Sequence, residues 1–177
     1  MMATSNVTSA VAFSQSVLPT PLGPVLVITD ERHRLRALDW QDFEPRMQRL
    51  LRLDYGARLQ LDDAPAPRAV RRALEAYFDG DLAAIESLEV VNLGTPFQRS
   101  VWKALRTIPA GETLSYGALA TKIARPAAVR AVGLANGANR ISVVIPCHRV
   151  IGANASLTGY AGGIERKRWL LAHEGVS

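Results

Sequence analysis

The stretch SYGALATKIARPAAVRAVGLANG, Ser115 to Gly137, decides how the second half of this chain folds. Ser115 offers a hydroxyl that caps a helix, and the spacing predicts a short helix from Tyr116 to about Ile123. Arg125-Pro126 breaks it, because proline pushes the residue before it away from helical geometry. Pro126 then opens a second helix, which runs to about Gly137. Two short helices joined by a tight turn make a helix-turn-helix pattern. On the second helix Ala128, Val132 and Ala135 form an inward stripe, while the other face carries Arg130, Gly133 and Gly137. That face is nearly bare except for one arginine, so a nucleic-acid backbone can approach it closely. Tight helix packing through small residues is the competing explanation.

Upstream, Thr95-Pro96-Phe97-Gln98 reads as a capping box with proline at the first helical position, and it starts a helix to about Ile108. Val101, Trp102 and Leu105 face inward on it, and Pro109 to Glu112 is a turn. Downstream, Ile141 to Ile145 reads as a buried strand that delivers the chain to Pro146-Cys147-His148-Arg149-Val150. A Gly-rich loop, Gly152 to Gly163, and a last helix, Ile164 to Glu174, complete this half. The basic run Arg166 to Arg168 is expected on a solvated face. In the first half, Pro24–Thr29 and Leu35–Trp40 suggest a small antiparallel sheet, and Glu44–Leu53 and Ala66–Phe78 have helical spacing. The expected fold class is α/β (α+β): residues 1–92 form the first domain, with 1–14 disordered, and residues 93–177 form a mostly helical second one.

Composition narrows the function. At 48% apolar and 21% charged residues the chain is an ordinary globular one, and no run of about 20 apolar residues exists to span a membrane. The start lacks the basic and apolar regions of a secretory signal, so a cytoplasmic protein is expected. The glycosylation patterns at Asn6 and Asn154 carry no weight without export. Net charge is +5, unevenly spread: residues 94–177 hold 11 Lys and Arg against 3 Asp and Glu, a net +8, which leaves −3 for the rest. That asymmetry points to an anionic partner for the second half. A single cysteine excludes an internal disulfide and a cysteine-based zinc centre, and the scattered His33, His148 and His173 predict no metal site.

The one cysteine, Cys147, stands beside His148 and shares its half of the chain with a late carboxylate, Glu174. A thiol is strongly nucleophilic only as thiolate. A histidine can take the proton, and a carboxylate can orient the resulting imidazolium. An inert buried cysteine is the plain alternative.

Ordered motifs extend this reading. They are Gly94-Thr-Pro-Phe-Gln98 with Val101-Trp102, Ser115-Tyr116-Gly117 with Leu119-Ala120, Arg130-Ala-Val-Gly133, Asn136-Gly137 with Asn139, Pro146 to Ile151, Thr158 to Gly163, and Trp169 to Gly175. In them the chain resembles the O6-alkylguanine-DNA alkyltransferase family throughout its second half, and the bacterial constitutive members most. Thr20-Pro-Leu-Gly-Pro24, Leu35-Arg-Ala37 and Ala76-Tyr-Phe78 are looser similarities.

The resemblance implies direct DNA repair: an alkyl group passes irreversibly, once per molecule, from O6-alkylguanine, and from O4-alkylthymine as well, to Cys147. It makes His148 a base acting through a water, Glu174 the group that orients it, and Asn139 a hinge. Tyr116 would donate to the departing guanine. Tyr160, Ala161 and Gly162 would contact O6, and the carbonyls of Cys147 and Val150 would receive the exocyclic amine. Arg130 would replace the extruded nucleotide, with Tyr116, Gly117, Arg125, Gly133 and Arg140 on the DNA face. It implies no cofactor and no metal. The expected partner is double-stranded DNA carrying alkylated bases, met by a monomer, with cooperative assembly on DNA left open. One departure concerns Arg140, where the family commonly has proline; arginine implies a looser hinge or an extra phosphate contact. A turning-over cysteine hydrolase, a plain helix-turn-helix regulator and a cofactor-dependent methyltransferase are the other classes weighed. The last lacks its GxGxxG loop.

Overall fold

The computed structural model describes residues 10–177. The first half is a four-stranded sheet with two helices. Its strands are β1 (Ala12–Leu18), β2 (Val25–Thr29), β3 (Leu35–Trp40) and β4 (Gln60–Asp63), with α1 (Glu44–Tyr55) between β3 and β4 and α2 (Arg68–Phe78) after them. The order across the sheet is β3-β2-β1-β4. The β2–β3 pair is antiparallel, as expected; β1, which was not foreseen, adds to β2 antiparallel and to β4 in parallel, so the sheet is mixed.

The expected disordered lead-in of residues 1–14 falls partly outside the described residues. Its last part is corrected: Ala12 to Ser14 belong to β1, all three paired with β4 and Ser14 with β2 as well.

Every residue of β2 is buried, and alternation sends its side chains to two cores. Leu26 and Ile28 join Phe13 and Ala37 beneath Met47 and Leu51 of α1. Val25 and Val27 face the other way, with Leu35, Leu38 and Trp40, into a larger core shared with the second half. A register shift between Ile28 and Thr29 leaves Arg36 unopposed, which is how Leu35 and Leu38 reach the same face.

The second half contains α3 (Pro96–Leu105), β5 (Leu114–Ser115), α4 (Tyr116–Lys122), α5 (Val129–Gly137), β6 (Val150–Ile151) and α6 (Ile164–His173). Both predicted caps form. Thr95 and Gln98 make the reciprocal capping box, and the Ser115 hydroxyl accepts from the Ala118 amide. The α4–α5 turn is longer than expected. Ala124 adopts a left-handed conformation, the Arg125 amide donates to the Ala120 carbonyl, and α5 starts only at Val129.

The predicted strand Ile141–Ile145 is not one. Leu38 donates to the Arg140 carbonyl and Ser142 to the Leu38 carbonyl, a single bridge to β3. The chain then curls at Val143 (φ +70°), and the Ile145 amide returns to the Ile141 carbonyl. A buried side chain competes with the sheet here, since Asn139 Nδ2 donates to the Ile145 carbonyl and Asn139 Oδ1 accepts from the Ile141 amide. The resulting turn ends at Cys147. Among the described residues no helix is long and apolar enough to cross a membrane.

Candidate active site

Cys147 opens a single 3₁₀ turn, Cys147–Arg149, and only 4% of it is exposed. The parallel pairing of β5 with β6 anchors this turn to the start of α4. Asn139 Nδ2 lies 3.1 Å from the sulfur, 2.8 Å from the Ile145 carbonyl and 3.3 Å from the Ile141 carbonyl. Burial pushes the thiol pKa up, and the Asn139 hydrogen bond opposes that shift. A buried thiol with a raised pKa needs a proton acceptor and local stabilisation of its anion before it can attack.

His148 is fully buried, and its Nε2 is 2.9 Å from Glu174 Oε1. Beside a carboxylate Nε2 carries the hydrogen, which leaves Nδ1 with a free lone pair. Nδ1 is buried and has no partner among the described residues. Burial lowers the His148 pKa even though Glu174 supports the charged form, so the ring is a neutral base at physiological pH.

Glu174 follows directly after α6. Its Oε1 accepts from Tyr77 Oη (2.7 Å) and Arg149 Nη2 (2.8 Å), and its Oε2 from Arg149 Nε (2.8 Å). Burial opposes its ionisation, but the bonds from Arg149 and His148 prevail and hold its pKa well below the usual carboxylate range.

The loop from Tyr160 to Gly163 packs on the first half. A side chain on Gly162 would run into the Trp40 ring, so only glycine fits there. Tyr160 Oη and Trp40 Nε1 are buried without partners among the described residues. Burial and the nearby Cys147 raise the Tyr160 pKa well above the ordinary phenol value, which keeps its hydroxyl a donor.

The remaining predicted residues lie on the helix pair. Tyr116 begins α4 with Gly117 behind it, and the Tyr116 ring sits 3.8 Å from where a Cβ on Gly133 would be. Arg125 is exposed in the turn. Arg130 is exposed on α5 and has no hydrogen bond or ion pair among the described residues.

Two family profiles match end to end. The 6-O-methylguanine DNA methyltransferase ribonuclease-like domain covers residues 14–91, and the 6-O-methylguanine DNA methyltransferase DNA binding domain covers residues 96–176. A methylated-DNA–protein-cysteine methyltransferase of Salmonella typhimurium is 54% identical over 159 residues, 89% of this chain and 93% of that protein. This chain belongs to the 6-O-methylguanine DNA methyltransferase family. A relative of the same name in Methanosarcina acetivorans is 42% identical over 160 residues, 90% of this chain and 97% of its own. The fold is similar to the crystal structure of Mycobacterium tuberculosis OGT in complex with DNA, with a TM-score of 0.75 at 41% identity over 93% of this chain and 92% of that one.

As a member of this methyltransferase family the chain departs from two expectations at the site. Arg140 was expected at a loose hinge or on phosphate. It is instead buried, and it holds Asp54 of α1 through two bonds of 2.8 Å. With each of its three nitrogens bonded within the protein and its side chain nearly buried, this guanidinium is not presented to a phosphate. The basic run on α6 is also only partly solvated. Arg168 is exposed, but Arg166 pairs with Asp42 and stacks on Trp40. Lys167 is fully buried, its ammonium donating to the carbonyls of Val150 (2.5 Å) and Thr158 (2.8 Å).

Four further residues of the site had no assigned role from the sequence. Lys167 looked like a surface charge in a basic run, and Arg149 carried only its place in the Cys147 motif. Tyr77 looked like part of an ordinary helix face. Asn136, whose Nδ2 is 3.3 Å from the Cys147 carbonyl, carried only its place in a motif. Among the described residues no cluster of three or more His, Cys, Asp or Glu is arranged to hold a metal ion.

Proposed function

We propose that this protein repairs DNA by moving the alkyl group of an O6-alkylguanine onto its own Cys147, once per molecule. The observation that carries the reading is the buried Glu174–His148 pair with an unpartnered Nδ1, next in sequence to the chain's one cysteine, itself buried and free.

The alkyl carbon of a stacked base lies out of reach of a buried thiol, so the nucleotide must leave the duplex. Arg130, free on α5, enters the space it vacates and recovers part of the unstacking cost. Gly133 and Gly137 let the phosphate backbone close on the helix, with Tyr116, Gly117 and Arg125 along the same edge. The flipped base comes to rest under Tyr160, Ala161 and Gly162. Its exocyclic amine takes the second lone pair of the Val150 carbonyl, whose first already serves Lys167, and replaces the long Asn136 contact at the Cys147 carbonyl.

The Cys147 proton passes through one bridging water to His148 Nδ1. Glu174 stabilises the imidazolium and Asn139 stabilises the thiolate. The S–C bond then forms as the C–O6 bond breaks, and the electron pair moves onto the purine. Hydrogen bonding from Tyr116 eases that charge, and the proton given up by sulfur ends on the base. The product thioether has no ready reversal, so no cofactor is consumed and no second turnover follows. We assign residues 1–92 and 93–177 to two domains and place the protein in the cytoplasm as a monomer. O4-alkylthymine fits the same displacement chemistry.

The test is intact-protein mass after mixing with a duplex containing one O6-methylguanine. The expected result is one added methyl per protein, mapped to the Cys147 peptide, with no change in Cys147→Ala. An unmodified residue 147 after the lesion disappears, or repeated turnover, overturns the assignment.

A further inference from the structure

The segment Gly137–Arg140 connects the recognition-type helix α5 to the turn that carries the thiol, and α1 of the first half grips it at three places. Arg46 donates to the Gly137 carbonyl and, at 3.3 Å, to the Asn139 carbonyl, while its other nitrogen is fixed by Asp39 at 2.7 Å. Asp54 takes the Arg140 guanidinium from the side, Nε and Nη2 each at 2.8 Å. Both side chains are nearly sealed from solvent, 6% exposed for Arg140 and 7% for Asp54. The third Arg140 nitrogen turns back to the Ala138 carbonyl, and the guanidinium plane lies 5.1 Å over the Trp102 ring. Trp102 in turn donates to the Ala135 carbonyl of α5.

Every nitrogen of the Arg140 guanidinium therefore has a partner, and each bond fixes one part of the same short segment. A planar fork on a carboxylate restricts orientation as well as distance. Such a buried pair is a poor source of net stability, since desolvation offsets much of its attraction. What it supplies is position. The residue it positions is Asn139, caught between the Arg46 and Arg140 contacts, whose amide reaches the Cys147 sulfur at 3.1 Å.

We propose that Asp54 and Arg140 are positioning residues for alkyl transfer: their clamp lets the first half of the chain hold Asn139 against Cys147, so the reactivity of the thiol depends on the docking of α1. The inference rests on the alkyl-transfer reading above and adds a task for the first half, which contributes no reacting group. It also accounts for an arginine at position 140. The side chain fixes the hinge from outside, where a proline would fix it through its own ring.

The experiment uses the full chain carrying Asp54→Asn, Arg140→Lys or the conservative Asp54→Glu. Single-turnover methyl transfer from saturating duplex is followed across pH, alongside duplex affinity and urea unfolding. Asp54→Asn keeps the shape of the pair without its charge, and Arg140→Lys keeps the charge without the fork. Both are expected to slow transfer by on the order of tenfold to a hundredfold, the usual scale for a small displacement of a reacting group. Duplex affinity is expected to stay near wild type.

Loss of the Asn139 contact destabilises the thiolate, so the midpoint of the pH–rate profile moves upward in both variants. The charged or titratable groups around the sulfur are Asp39, Arg46, Lys167 and Tyr160, with His148 next in the chain; all are unchanged, so the shift reports Asn139. Asp54→Glu is expected to recover most of the rate. A purely structural pair would lower the urea midpoint while leaving the rate per folded molecule and the pH midpoint at wild-type values, and that result overturns the inference. Failure of the wild-type chain itself to take up methyl at Cys147 would instead remove the functional reading, and this inference with it.

Discussion

The side-chain amide of Asn139 is shared between the sulfur of Cys147, 3.1 Å away, and the carbonyl of Ile145, 2.8 Å away. One planar group thus holds the backbone turn and the nucleophile in a single arrangement. Replacing Asn139 by alanine should damage both. The Ile141 amide loses its partner in a buried site, at about 1–3 kcal/mol for such a group, and the Ile145 carbonyl keeps only the Cys147 amide. The thiolate loses a donor as well. Asn139→Ala is expected to lower the urea midpoint and, in the folded fraction, to slow methyl transfer at pH 7.5 while shifting its pH dependence upward. A variant that is destabilised but transfers methyl at the wild-type rate would separate the two roles and remove the catalytic one.

Glu174 and His148 predict how stability follows pH. Glu174 ionises more easily folded than unfolded, so its contribution is complete above the unfolded value of about 4.3 and is lost as pH falls below it. His148 has a folded pKa beneath its ordinary value of about 6.5, so the unfolded chain takes the proton first and stability begins to decline as pH drops through that point. Urea midpoints measured from pH 7.5 down to 3.5 should fall in two stages. Glu174→Gln should weaken the lower stage, to which Asp30 with its own depressed pKa still contributes, and, by leaving Arg149 buried without its counter-charge, destabilise the protein at neutral pH by about 3 kcal/mol or more. An unchanged slope below pH 4.5 in Glu174→Gln would refute this account.

What the sequence disclosed depended on how local the cause was. The Thr95–Gln98 box and the Ser115 cap are contained within four residues and formed as read. β4 escaped notice because Gln60-Leu-Asp-Asp63 has no apolar rhythm; only its pairing with β1 makes it a strand. Ile141–Ile145 misled because a short run that is apolar except for Ser142 suits a strand and a buried turn equally, and the decision was made by the Asn139 side chain. Charge misled in the same way. Arg140 and Lys167 read as solvent-facing, yet one is matched by a carboxylate 86 positions away and the other by two loop carbonyls. Cys147, His148, Glu174 and Asn139 could be named because ordered motifs carry them. Tyr77, which reaches Glu174 from the first half, was marked only by its place on a helix and in the loose Ala76-Tyr-Phe78 similarity.

Arg130 separates duplex chemistry from base chemistry. It is exposed on α5 and has no intramolecular partner among the described residues, so its removal leaves the fold intact. If it fills the gap left by a flipped nucleotide, Arg130→Ala should slow repair of O6-methylguanine in duplex far more than reaction with a free O6-alkylguanine base. Rates on the two substrates, measured side by side with the urea midpoint, check this. Equal losses on both would speak against a flipping role.

Lys167 is the buried charge whose removal is most informative. Its ammonium bonds the carbonyls of Val150 and Thr158, which ties the active-site turn to the loop before Tyr160. Burial lowers its pKa, while the nearby Cys147 favours the charged form. The same positive charge is among the groups that lower the thiol pKa against the larger effect of burial. Lys167→Met preserves the length of the apolar stem and removes both the donors and the field. Two consequences should appear together. The protein loses stability because two carbonyls lack donors. The thiolate fraction at pH 7 also falls, tenfold for each unit by which the thiol pKa rises. Methyl transfer should therefore be slowed across the range below the thiol midpoint, and the midpoint of the pH–rate profile should lie above that of the wild type, with stability measured in parallel. A rate deficit with the midpoint of the pH–rate profile unmoved would mean that Lys167 serves only to hold the loop.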